Sequence, residues 1–148
     1  MPLMEHDYIA IVLDARKQYQ AARTIEARKG VRAAMQIRLH QLFGLYHEAG
    51  DWTGTIRNVQ TLPGGERAVS IEVGPNISVS TWQNRFFDTE HATLVNPPSP
   101  FYHALDDANA GTPVRFSATL IGSRVESDDE MVLRPELIAR FTALKQFQ

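Results

Sequence analysis

The chain has 148 residues, of which 43% are hydrophobic and 22% are charged, so it can bury a core and has the composition of an ordinary globular protein. It contains no cysteine, which excludes disulfides, thiolate nucleophiles and cysteine-based metal sites. The net charge is only −2, but it is unevenly distributed. Residues 16–43 hold seven basic residues and one acidic residue, whereas residues 51–148 hold eight basic and twelve acidic residues. Any attraction to polyanions therefore belongs to residues 16–43.

The N-terminal segment is predicted to be helical, because residues 5–43 contain no proline and a single glycine. Apolar residues spaced three and four apart form a narrow stripe, Tyr8, Val12, Ala15, Tyr19 and Ala22. The stripe resumes out of phase at Val31, Met35, Leu39 and Leu42. Gly30 lies at the change of phase and predicts a kink or a break, and Gly44 predicts the helix end. We expect the stripe to dock on the barrel, with pairing to a second chain as the alternative.

Three strands are predicted next, arranged as a meander. The first, Asp51–Gln60, alternates up to Ile56 and then shifts register towards Val59, as a strand does across a bulge. The second, Arg67–Val73, alternates cleanly, and the third is Ile77–Trp82. Glycine and proline in the two intervening segments indicate turns.

The second half of the chain is predicted to hold one helix and two strands. Ser99 is a candidate N-cap for a helix over Ser99–Asn109, followed by a strand over Pro113–Ile121. Ser127–Glu130 is expected to be a solvated acidic loop. The last segment fits a helix or a strand, and we favour a strand at Ile138–Lys145 because four strands do not close a small barrel.

These elements predict an α+β fold that is mainly β: a helical arm, residues 1–50, and a small five-stranded barrel, residues 51–148, with a helix between strands three and four. This is the element order of the oligonucleotide/oligosaccharide-binding (OB) barrel. The chain resembles uncharacterised bacterial OB-fold-like proteins with a helical N-terminal region, in the stretches Asp51–Gly54, Ser80–Asn84, Thr93–Val95, Gly111–Ser117 and Pro135–Thr142. The resemblance implies no activity and no catalytic residues. The alternating strands predict a core of Ile56, Val69, Ile71, Val79, Val114, Phe116 and Leu120.

We expect no enzyme activity, no cofactor and no metal. The carboxylate pairs at Asp106-Asp107 and in the acidic loop lie in segments predicted to be solvated, where a raised pKa is hard to arrange. The chain carries none of the common nucleophile, phosphate-loop or zinc-protease motifs. His40, His47 and Glu48 are not at a ligand spacing that fits a metal.

The favoured function is therefore a non-catalytic binding module, a protein-interaction or assembly protein that uses the barrel surface and the helical arm. Its partner is another protein or a second copy of the chain. The alternative is single-stranded nucleic-acid binding through aromatic and basic residues of the barrel, Arg57, Arg67, Trp82, Arg85 and Phe86, and of the arm, Arg23, Arg28, Arg32 and Arg38. The apolar stretch Tyr8–Leu13 is too short to span a bilayer, so we expect no membrane contact and a cytoplasmic location.

Overall fold

A computed structural model of the chain describes residues 1–44, 47–82, 93–124 and 127–147. Two long helices come first, α1 (Leu3–Ala21) and α2 (Ile25–Phe43). The strands are β1 (Glu48–Thr61), β2 (Arg67–Gly74), β3 (Ile77–Ser80), β4 (Pro113–Arg124) and β5 (Glu136–Gln146). A 3-10 turn (Tyr102–Leu105) precedes β4, and a short helix, α3 (Asp128–Leu133), separates β4 from β5.

The five strands form a closed barrel in the order β1-β2-β3-β5-β4, so the prediction of a small five-stranded barrel is confirmed. All neighbouring strands are antiparallel except β3 and β5, which run parallel. The ambiguous C-terminal segment is a strand, because β5 pairs with β4 from Val114–Gln146 to Arg124–Glu136 and so satisfies the backbone groups of both. The predicted bulge in β1 lies between Ile56 and Asn58.

The barrel interior is the predicted core. All seven predicted core residues are buried, and they form one cluster with Trp52, Ile77, Ala118 and Phe141. Strand β3 is shorter than predicted, and Ser78 and Ser80 are buried together with Ile77 and Val79. The hydroxyls of Ser80 and of Ser70 in β2 share a hydrogen bond at 2.7 Å, so both are satisfied within the sheet.

The helix predicted at Ser99–Asn109 between strands three and four is wrong. This segment holds only the four-residue 3-10 turn, held by bonds such as Ala104 N–H to Phe101 O at 3.1 Å and Asp106 N–H to His103 O at 3.2 Å. Leu105 is buried, and Phe101, Tyr102, Ala104 and Ala108 pack partly buried against the barrel core, so the apolar residues of this segment reach the core without a longer helix.

Helix α1 packs on the barrel core. Tyr8 and Val12 are fully buried in the barrel core, and Tyr8 stacks on Trp52 with ring centroids 5.9 Å apart. The later residues of the stripe pack in a second cluster with Met35 of α2 and Val132 of α3. The predicted docking on the barrel is thus confirmed for Tyr8 and Val12, whereas Ala15 and Tyr19 pack on α2 and α3 and Ala22 is half-buried.

The break between the two helices lies before Thr24 rather than at Gly30, which corrects the predicted position. Thr24 caps α2, since its hydroxyl accepts a hydrogen bond from the Ala27 N–H at 3.0 Å. Gly30 lies inside α2, where an added Cβ would meet no atom within 4 Å. Gly44 ends α2 with a φ of 53°, as predicted.

The acidic loop predicted at Ser127–Glu130 is also wrong, because this segment begins α3. The Ser127 hydroxyl accepts a hydrogen bond from the Glu130 N–H at 3.2 Å, and acidic side chains are favourable in a first helical turn. Val132 then has no exposed surface and fixes α3 against α1 and α2.

Candidate functional site

A groove of about 360 Å³ lies where the C-terminal half of α2 meets the end of the barrel formed by β4 and β5. Apolar side chains from four elements line it: Leu39, Phe43, Leu120, Ile121, Met131 and Leu137. All except Leu120 are half-buried, so each packs on the protein with one part and leaves another part open. The groove is thus an apolar concavity open to solvent, the kind of surface that binds apolar side chains.

The position of the residues that line the groove follows from the sequence of each element. The stripe of α2 places Leu39 and Phe43 on the side of the helix that faces the barrel, and Gly44 turns the chain away. Helix α3 adds Met131, whose sulfur accepts a hydrogen bond from the Gln36 amide at 3.6 Å. Because methionine is flexible and polarisable, this wall can adapt to more than one apolar side chain.

The polar side chains that line the groove belong to Gln36, His40, His47 and Ser123. His40 and His47 are exposed on either side of Gly44. The backbone carbonyl of His47 accepts a hydrogen bond from the Leu120 N–H, which fixes the rim to β4. Within the described ranges, no three histidine, aspartate or glutamate side chains come together in a way that could hold a metal ion.

Gly122 is an exposed residue of the groove lining and offers a way to block the groove. A Cβ at Gly122 would meet no atom within 4 Å, and its backbone does not need the left-handed region. A larger side chain can therefore project from this position without displacing the barrel.

Arg67, one of the predicted ligand contacts, is engaged within the protein. Its guanidinium donates to the Tyr102 carbonyl at 2.8 Å and to the Asp106 carboxylate at 2.7 Å, and it lies 4.1 Å from the centroid of the Tyr102 ring. Hydrogen bonds from Arg67 and His103 hold the pKa of Asp106 below its ordinary value. Arg67 thus fastens the 3-10 turn to β2, and its donors face the protein.

The other predicted barrel contacts are not brought together in the described part of the chain. Arg57 is exposed on β1. Trp82 is half-buried, and its backbone N–H donates to the Thr93 hydroxyl at 3.2 Å. Arg85 and Phe86 lie outside the described residues.

The basic arm residues face several directions. Arg38 forms an ion pair with Asp14 of α1 at 2.7 Å, and Arg23 is exposed between the helices. Arg28 lies over the Tyr19 ring at 5.5 Å and, with Arg32, lines a pocket of about 290 Å³. Asp129 lines the same pocket and accepts a hydrogen bond from Tyr19, so the positive charge there is partly offset.

Among the described acidic side chains, the one whose pKa is shifted most lies away from both the groove and the pocket lined by Arg28 and Arg32. Glu5 has no exposed surface, and burial raises its pKa to about 7, although the hydrogen bond from the Thr53 N–H opposes this rise. Burial also raises the pKa of the neighbouring Tyr8, which is equally inaccessible. A substrate cannot reach either group while α1 stays docked.

Sequence reasoning identified part of this groove. Leu39 was predicted on an apolar stripe and Leu120 in the core, but nothing predicted that they meet. The wall from α3 was missed, although Ser127-Asp128-Asp129-Glu130 followed by apolar residues fits a capping box and could have indicated a helix.

Comparison with protein-family models and with curated proteins finds no match for this chain. No helix in the described ranges combines the length and the apolar character needed to cross a bilayer.

Proposed function

We propose that this protein is a non-catalytic binding module that holds an apolar side chain of a partner protein in the groove between α2 and the β4–β5 end of the barrel. We further propose that the barrel is of the OB type. The strand order β1-β2-β3-β5-β4, with β3 and β5 parallel, supports that assignment. The site joins the helical arm to the barrel surface, the two parts expected to bind a partner.

The groove itself carries the proposal. Its six apolar residues come from four separate elements, and filling it with one leucine- or phenylalanine-sized side chain would remove their open surface from water. Interfaces commonly gain most of their energy from one such anchor in a pocket, with polar groups around it. His40, His47 and Gln36 supply such a rim.

The non-catalytic part of the proposal is supported by where the perturbed acid lies. Glu5 is sealed between α1 and β1 and cannot reach a substrate, whereas the titratable side chains that line the groove are His40 and His47. A catalytic histidine is commonly oriented by a carboxylate, and no described aspartate or glutamate lines the groove.

Selection from a random peptide library displayed on phage tests the proposal. Gly122→Leu would add a large apolar side chain to the groove lining. Gly50→Leu is the matched control, because a Cβ at Gly50 also meets no atom within 4 Å and this residue does not line the groove. Peptides selected on the native protein are then measured by titration calorimetry against both variants.

The expected result is a family of peptides with one large apolar residue in common, bound by the native protein and by Gly50→Leu. Gly122→Leu should weaken their binding by at least tenfold. Sedimentation of the native protein at high concentration separates a partner protein from a second copy. If the selection enriches no peptide, or if both variants bind the selected peptides equally, the proposal is wrong.

A further inference from the structure

Two basic residues lie directly opposite each other on the outer face of the barrel. Arg115 of β4 pairs with Lys145 of β5, and paired residues project to the same side of a sheet. That side is the outer one, since the flanking residues Val114 and Phe116 point into the core. Like charges on directly opposite residues repel each other, so the pair lowers the stability of the protein unless an anion lies near it.

No acidic side chain of the described residues forms an ion pair with Arg115 or Lys145. The next rungs of the sheet carry Ser117, whose hydroxyl accepts a hydrogen bond from the Asp51 N–H at 3.0 Å, and Thr119, whose hydroxyl donates to Glu48 at 3.1 Å. The positive charge of the pair therefore faces solvent.

An aromatic ring adjoins this pair. Phe147 follows β5, and its backbone N–H donates to the Pro113 carbonyl at 3.2 Å, which fixes its position. The Arg115 guanidinium lies 5.6 Å from the ring centroid. Phe147 is 36% exposed and borders a shallow depression of about 510 Å³ against β1 and β2, large enough for a nucleobase.

We infer that this outer face, formed by Arg115, Lys145 and Phe147, binds single-stranded nucleic acid, with backbone phosphates on the two cations and one base stacked on the ring. Phosphates neutralise the repulsion between the like charges, and every base has a face that can stack on an aromatic side chain. An acidic peptide would satisfy the cations but would leave the ring unused. The site shares no residue with the apolar groove, so it does not depend on the function proposed above.

Fluorescence anisotropy with a labelled, mixed-sequence single-stranded DNA of about 12 nucleotides tests this inference over a salt series. The variants are Arg115→Gln, Lys145→Gln and Phe147→Ala. Arg134→Gln is the matched control, because it removes an equal charge from an exposed position just before β5. Glu136, the first residue of β5, lies nine residues, or about 30 Å, along the strand from Lys145.

Arg115→Gln and Lys145→Gln should each reduce the logarithmic salt slope by about 0.7. Phe147→Ala should weaken binding roughly five- to hundredfold while leaving the slope unchanged. Arg134→Gln should leave the affinity within about twofold of the native value.

Three results would overturn the inference. The first is that the native protein fails to bind at low salt and micromolar concentration. The second is that Arg134→Gln acts as strongly as Arg115→Gln, which would indicate a diffuse charge effect. The third is that polyglutamate of similar length competes as well as DNA and Phe147→Ala changes nothing, which would indicate an acidic protein partner.

Discussion

The carboxylate of Glu5 accepts a hydrogen bond from the backbone N–H of Thr53 at 2.9 Å, although Glu5 has no solvent-exposed surface. This bond joins the first turn of α1 to β1. The second carboxylate oxygen of Glu5 is buried and has no hydrogen-bond partner among the described residues. The protonated carboxyl suits this site better than the charged one, because one oxygen accepts the bond and the charge is avoided.

Glu5 should make the protein less stable as the pH rises. Its pKa is about 7 in the folded protein and near 4.5 in the unfolded chain, so between these values the folded state holds a proton that the unfolded state has released. The contribution of Glu5 is therefore largest below about pH 4.5 and is lost as the pH rises through 7. The expected loss between pH 5 and pH 8 is about 2–3 kcal/mol.

Glu5→Gln should remove this dependence, because glutamine keeps an acceptor for the Thr53 N–H and carries no charge at any pH. Urea denaturation at pH 5 and pH 8 measures the effect as the difference between variant and native protein. Glu26→Gln, which changes an exposed acid in the first turn of α2, is the control. An identical pH dependence in Glu5→Gln and the native protein would contradict the raised pKa.

Tyr8→Phe should leave the protein as stable as before or make it more stable. The Tyr8 hydroxyl is fully buried and has no hydrogen-bond partner in the described part of the chain, whereas its ring packs on Trp52 and Phe43. Removing an unsatisfied buried hydroxyl recovers its desolvation penalty, on the order of 1–3 kcal/mol. Chemical denaturation at pH 7 measures the change.

Tyr19→Phe is the contrasting variant on the same face of α1. The Tyr19 hydroxyl donates a hydrogen bond to Asp129, so its loss should lower the denaturation midpoint. A loss of stability in Tyr8→Phe equal to that in Tyr19→Phe would show that the Tyr8 hydroxyl has a partner.

The barrel was predictable because strand faces are set locally. Val69, Ile71 and Phe116 alternate with polar residues, and a period of two fixes which side chain points inward regardless of the rest of the chain. The final strand also depended on a global condition, namely that a small barrel needs a fifth strand to close. Both arguments can be made without coordinates.

The break in the arm and the helix before β4 were predicted wrongly, because in each case two features of the sequence favoured different structures. Gly30 suggested the break in the arm, but Thr24 supplies a capping oxygen, and one glycine within a helix costs only about 1 kcal/mol. Ser99 suggested a helix before β4, but hydrogen bonds from Arg67 to the Tyr102 carbonyl and the Asp106 carboxylate hold the segment as a 3-10 turn. The groove was beyond prediction as a site, because Leu39, Leu120 and Met131 meet only through the tertiary packing of α2, β4 and α3.

Phe116→Ala should cost about 3–5 kcal/mol of unfolding free energy. The side chain is 1% exposed, and its ring contacts those of Trp52 and Phe141 with centroids 6.3 and 5.4 Å away. Ser123→Ala, an exposed position on the same strand, should change stability by less than about 0.5 kcal/mol. Equal denaturation midpoints for these two variants would mean that the inward face of β4 is misassigned.

Gly30→Ala should stabilise the protein by about 0.5–1 kcal/mol. Gly30 lies in the interior of α2 on the solvent side, where alanine loses less backbone entropy on folding and its methyl group meets no neighbour within 4 Å. Gly44→Ala is the matched contrast, because Gly44 ends the helix at a φ of 53°, which is unfavourable for alanine. It should destabilise the protein by a similar or larger amount in thermal denaturation followed by circular dichroism. If Gly30→Ala destabilised the protein instead, the chain would bend at Gly30, and the break before Thr24 would not be the only interruption between the two helices.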